Sequence, residues 1–180
     1  GSNEEFSIPV LLTSSLLNLG MKKLNIYKYV DNKKIALNLI LFLLFIFEDT
    51  ENALYYAQKL NELRPNHPCP VFLYARCYNM TKDYGKAINI IKKLIENQSG
   101  LDPLNYKTAH TELISLYGNS GYTYLKVQND INNGINHFKK SFEVFEKCRN
   151  ESCIDKKMIK NFCDSLFSFL CILPPTEIAN

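Results

Sequence analysis

The segments "ENALYYAQKLNELRP" (Glu51–Pro65) and "GKAINIIKKLIENQS" (Gly85–Ser99) line up at a constant offset of 34 residues. Ala53 falls on Ala87, Tyr56 on Ile90, Ala57 on Ile91 and Leu60 on Leu94. Upstream the same offset pairs Leu37 with Val71, Ile40 with Tyr74, Leu41 with Ala75 and Leu44 with Tyr78. Apolar residues return every three or four positions, the period of a helix with one buried face. Self-similarity at a fixed interval then means one helical unit used repeatedly. A third copy, "GYTYLKVQNDINNGINHFKKSF" (Gly121–Phe142), places Gly121 and Tyr124 like Ala75 and Tyr78. Gly134, Phe138 and Ser141 follow like Ala87, Ile91 and Leu94. This copy sits 47 residues behind the second, stretched by "LDPLNY" and about two turns of added helix.

Punctuation between the periodic stretches sets the elements. Asp31 or Asn32, Asp49 or Thr50, and Asp83 can each cap a helix. Helices are expected up to about Phe47, from Thr50 to just before "RPNHP", and over Val71–Thr81. Others follow from Asp83 to Asn97 and over Leu104–Val127, Asn132–Lys147 and Ile154–Ile172, with Pro174 and Pro175 ending the last. Pro9 opens an N-terminal helix. The organisation is one domain, 1–180: an N-terminal helical segment at 3–30, repeats at 34–67 and 68–101, an elongated repeat at 104–149, and a capping helix at 153–173.

Two antiparallel helices pack closely only where small side chains let the backbones approach. Ala75 and Gly121 supply this on the first helix of a hairpin, Ala87 and Gly134 on the second. Tyr78 and Tyr124 are expected to fill the wedge towards the next hairpin, and stacked hairpins bury the apolar faces that each alone leaves open.

The 34-residue hairpin with its small residues, Tyr78, Ala87 and closing Pro65 resembles the tetratricopeptide repeat over about residues 34–149. The resemblance implies an all-α, right-handed superhelix of antiparallel helix hairpins that binds other proteins. Three departures stand out: Leu41 where a small residue is usual, Leu44 where an aromatic is usual, and Ser99 where proline is common. A finer likeness is to the tetratricopeptide subunits of the anaphase-promoting complex, carried by Ala53, Leu54, Ala57, Lys59 and Leu60, then Leu73, Ala75, Cys77 and Tyr78, then Asp83, Tyr84 and Ala87. It implies a homodimerising scaffold in a ubiquitin ligase of the cell cycle.

Composition narrows the alternatives. The formal charge is +3, and lysines outnumber arginines 18 to 3. Arginine is the usual fork for phosphates and base edges, so no nucleic-acid partner is expected. The run "IALNLILFLLFIF" (Ile35–Phe47) holds one polar residue in thirteen. A bilayer span needs about twenty apolar residues, so this reads as a buried helix, with no membrane partner. The opening Gly1-Ser2 reads as a vector remnant, and the chain is expected to be part of a longer protein. Six cysteines, at 69, 77, 148, 153, 163 and 171, form no CxxC pair and lack a zinc-ligand histidine spacing. They read as small apolar core residues of a protein in a reducing compartment, cytoplasmic or nuclear.

No active site assembles from the sequence. His67, His110 and His137 fall in a loop and on two separate helices, and neither a nucleophile motif nor a phosphate loop is present. No metal or cofactor is expected. "HPCP" around Cys69 reads as a rigid link between hairpins. The resemblance puts the binding groove on the inner face of each first helix: Asn38, Phe42 and Phe45, then Phe72, Arg76 and Asn79, then Tyr122 and Leu125. A chaperone-carboxylate clamp would need Lys and Asn in the first copies and Lys or Arg in the third. Asn38, Phe42, Leu73, Ser115 and Asn119 stand there, and walls of Phe42 and Leu73 cannot bind a carboxylate, so that use is excluded. The nearly all-apolar run at 35–47 needs cover, either from Val10, Leu11, Ser14, Leu17 and Met21 or from a second chain. Self-association is the expectation, and an adaptor that captures a peptide or helix of a transport, chaperone or organelle partner is the alternative.

Overall fold

The computed structural model describes residues 50–63, 67–97 and 101–178. The expected N-terminal helix and the first helix of the first repeat, with Asn38, Phe42 and Phe45, lie outside them. Among the described residues every element is helical: α1 (Thr50–Leu63), α2 (Pro68–Met80), α3 (Tyr84–Asn97), α4 (Pro103–Lys126), α5 (Ile131–Asn150), α6 (Lys156–Leu170) and α7 (Pro175–Ile178). Backbone contacts divide the chain between Thr81 and Lys82 into two compact units.

In the first unit α1 packs on α2. Ala53 and Ala57 of α1 and Ala75 and Cys77 of α2 are buried. The helix α2 starts three residues earlier than the sequence suggests. Pro68 and Pro70 stand in its first turn, where a missing N–H breaks no intrahelical bond, and His67 caps it, its Nδ1 accepting from the Cys69 N–H at 3.4 Å. The "HPCP" stretch is therefore a helix start, not a link. Proline acts the same way at Pro175, which opens the single turn of α7 rather than merely ending α6.

The second unit is built around α4, against which α3, α5 and α6 all pack; α5 and α6 also touch. The helices α3, α4, α5 and α6 are each fixed at their start by an aspartate. Asp83 Oδ1 accepts from the Lys86 N–H at 3.3 Å. Asp102 accepts from Leu104 and Asn105, both at 3.0 Å. Asp130 accepts from Asn133 at 3.0 Å, and Asp155 from Met158 at 2.8 Å. Each satisfies donors that the first helical turn leaves open. Hydrogen bonding to these N–H groups also holds the carboxyls of Asp102 and Asp130 below the usual range.

The crossing of α4 and α5 depends on two glycines. A Cβ added at Gly121 would lie 2.9 Å from the Gly134 carbonyl oxygen; one added at Gly134 would lie 3.1 Å from the Gly121 oxygen. The expectation for these two residues thus has a direct geometric cause. A second close crossing joins α4 to α6, where a Cβ on Gly118 would sit 2.6 Å from Ser165 Oγ and 2.9 Å from Ser165 Cβ. Further along, the Ser141 hydroxyl donates to the Ile114 carbonyl at 2.9 Å, and Asn161 Nδ2 donates to Ser115 Oγ at 3.0 Å. The core where α4, α5 and α6 meet holds Ile114, Cys148, Met158 and Phe162. Phe162 stacks on Phe145 with ring centroids 4.4 Å apart, and Phe138 stacks on Phe169 at 4.6 Å.

Candidate protein-binding surfaces

Phe72, Arg76 and Asn79 recur at intervals of four and three residues, so they share one face of α2. Arg76 is exposed there, between the half-buried Phe72 and Asn79. On α4 the two expected groove residues part company. Tyr122 is exposed and lines a groove of about 290 Å³ with Gly118, Asn119, Asp164, Ser165 and Ser168. Leu125 is buried, its Cβ 3.3 Å from where a Gly134 Cβ would lie, and so belongs to the α4–α5 crossing rather than to a surface.

Sequence reasoning missed a more prominent surface. Ile159, Cys163, Phe167 and Leu170 follow one another at four, four and three residues and form a single stripe on α6. All four are exposed, Phe167 by 72%. Phe142 of α5 is 47% exposed, and its ring lies 5.9 Å from that of Phe162 in α6. The stripe flanks the face that α6 buries through Met158, Phe162 and Phe169. The clue in the sequence was that apolar residues cover more of this helix than one neighbour can. A capping helix presents a polar outer face, and α6 presents this stripe instead.

Most polar and ionisable groups are answered by their neighbours, while Asn61 Oδ1 and His137 Nδ1 are buried with no hydrogen-bond partner. His110 is buried; its Nδ1 lies 2.9 Å from the Tyr106 carbonyl oxygen and its ring packs on Tyr106 at 4.1 Å. His137 sits between Tyr124 and Tyr117, with centroids at 4.9 and 5.9 Å. Burial holds both imidazoles below the ordinary histidine range. Tyr124, expected in the wedge towards the next hairpin, thus also packs inside its own. Tyr74 and Tyr78 share a hydroxyl contact at 3.3 Å that, with burial, raises Tyr74 to about 12. Of the six cysteines only Cys77 and Cys148 are fully buried; Cys69, Cys163 and Cys171 are exposed, so the expectation of six core residues is corrected. Among the described residues no group of three or more His, Cys, Asp or Glu side chains is placed to hold a metal ion, and no helix is long and apolar enough to cross a membrane.

A contiguous exposed apolar stripe such as that of α6 marks an interaction surface. No curated protein matches the chain. A family model described as the tetratricopeptide repeat matches residues 44–113, which take in α1, α2, α3 and the first half of α4, and the fold is accordingly an all-α, tetratricopeptide-like one.

Proposed function

We propose that this chain is a non-catalytic scaffold that assembles with a second copy of itself and with other proteins. In the finer reading it acts in the manner of the tetratricopeptide subunits of the anaphase-promoting complex. The coarse part rests on the tetratricopeptide match, since such repeats generally bind proteins and catalyse nothing. The finer part rests on the residues Ala53–Leu60, Leu73–Tyr78 and Asp83–Ala87 that carry the likeness. The observation that supports self-association is the exposed stripe of Ile159, Cys163, Phe167 and Leu170 beside Phe142. Apolar surface gains about 25 cal/mol for each Å² removed from water, and a contiguous exposed patch marks a surface that another polypeptide covers. A scaffold of this type belongs in the cytoplasm or nucleus.

The test is mass in solution. Light scattering across the micromolar range should show a mass that rises towards twice that of the chain. Phe167→Glu should hold it at the monomer with an unchanged helical circular dichroism spectrum. Monomer mass for the natural sequence at every concentration would overturn self-association. The adaptor reading would then stand on the α2 face of Phe72, Arg76 and Asn79 and on the groove beside Tyr122, as a monomer that requires an added peptide.

A further inference from the structure

The turn between α5 and α6 closes on two cysteines. Ser152 is left-handed, with φ at 55°; its N–H donates to the Arg149 carbonyl at 3.1 Å, and the Cys153 N–H donates to the Cys148 carbonyl at 2.9 Å. This pair of bonds is a Schellman cap, a motif in which the residues at the two ends of the longer bond bring their side chains together. An apolar pair usually fills those positions, and here both are cysteine. With standard backbone dimensions, the 2.9 Å bond keeps the two Cα atoms no more than about 6.8 Å apart. That lies within the span a disulfide bridges. The side chains share one apolar cluster: Cys148 is fully buried with Ile114, Met158 and Phe162, and the half-buried Cys153 packs against it.

We propose that Cys148 and Cys153 form a redox-active dithiol, a modification site that closes to a disulfide when it meets a small oxidising disulfide of the glutathione type. The order of events follows from exposure. Cys153, reachable from solvent, attacks one sulfur of the oxidant as a thiolate; the oxidant's S–S bond breaks, and one glutathione thiolate leaves and takes a proton from water. Cys148 then gives up its proton, bonds to Cys153 Sγ and expels the second glutathione thiol. Two protein thiols lose two electrons, and one disulfide becomes two thiols. Burial, with the hydrogen bond to Cys153 adding to it, pushes the Cys148 thiol up to about 12. The charge of Glu151 contributes to that rise and Lys147 opposes it; the Tyr106 hydroxyl donates to Glu151 Oε2 at 2.5 Å. The second step is therefore the slow one near neutral pH, and the glutathione adduct on Cys153 precedes the bridge. Once closed, the bond ties the last turn of α5 to the residue from which the chain turns into α6.

The full chain is treated with oxidised glutathione at about pH 8.5, where thiolate attack is faster, then digested with trypsin and weighed without reduction. The expected product joins Cys148-Arg149 to Asn150–Lys156 through a disulfide. Cys148→Ala should stop at the adduct on Cys153, and Cys153→Ser should give neither species while keeping the helical spectrum. As an independent probe of proximity, one equivalent of phenylarsine oxide should protect both thiols of the untreated chain from alkylation. An adduct on Cys153 that never resolves in the natural sequence, or a bridge from Cys148 to any other cysteine, would overturn the proposal, as would independent alkylation of the two thiols in the presence of the arsenical.

Discussion

α4 is studded with polar residues and yet is the most deeply buried helix of the second unit, whereas α6, richer in large apolar side chains, is open along one side. The buried residues of α4 include His110, Thr111 and Ser120, and those of α6 are only Met158, Phe162 and Phe169. The inversion shows that burial here follows the number of neighbours a helix can admit. α4 has Gly118 and Gly121 where two other helices press against it, so neighbours approach on both sides. Its polar groups are answered locally: Thr111 Oγ1 donates to the Lys107 carbonyl at 2.8 Å, and His110 bonds that of Tyr106. α6 meets α4 through Ser165 and Asn161 and α5 through Phe162, and it leaves Phe167 facing water.

If that account holds, the largest effect should come from the inward face of α6. Phe162 is 8% exposed and stacks on Phe138 and Phe145. Phe162→Ala should lower stability by about 3–5 kcal/mol in urea unfolding, the usual cost of emptying a buried aromatic site. A loss under about 1 kcal/mol would mean that α6 is not anchored as described.

Next come the two crossings of α4. A Cβ at Gly121 meets a backbone oxygen, which cannot rotate away, so α5 itself must move. Overpacking typically costs about 1–3 kcal/mol, offset by the nearly 1 kcal/mol that alanine gains over glycine in a helix. Because the clash is with backbone, Gly121→Ala should fall at the upper end of that balance, a loss of up to about 2 kcal/mol net. Gly118→Ala should lose less, about 1 kcal/mol, because Ser165 Oγ can turn and α6 has an open side to move towards. In a Ser165→Gly background, compared with Ser165→Gly alone, the Gly118→Ala loss should largely vanish, since the Cβ that lies 2.9 Å from the new methyl is gone. Equal losses at the two glycines would break the distinction between the crossings.

The same distinction explains what could be read beforehand. The repeat offset found Gly121 and Gly134 because both recur in register with Ala75 and Ala87, and the periodic apolar runs, with the Asp83 cap, placed α3 to α6 to within a few residues; the caps Asp102, Asp130 and Asp155 were not foreseen. Gly118 escaped because Ser165 lies in a helix that the alignment of repeats does not reach. Leu125 was assigned to the groove because its position follows the inner face of a first helix. Which way that residue points depends on how closely α5 approaches, and the closeness comes from the absent side chain of Gly134. Periodicity reports that a residue faces something; it does not report how many neighbours a helix has, and so the outer face of α6 went unread.

The smallest expected change is the most discriminating. Phe167 has 72% of its surface in water, so the single chain gains little from it, and a surface substitution away from any cap, core or buried polar group usually shifts stability by no more than about 0.5 kcal/mol. Phe167→Ser, unfolded in urea at a concentration where the protein is monomeric, should therefore fall within that limit. At higher protein concentration the natural sequence should become more stable than the variant, because a partner that binds only the folded state adds its binding free energy to the unfolding equilibrium. A large loss in the dilute monomer would mean that the phenyl ring is covered within its own chain. A difference that stays flat with concentration would mean that nothing covers it at all, and the asymmetry between α4 and α6 would then be a property of one helix's composition with no second chain behind it.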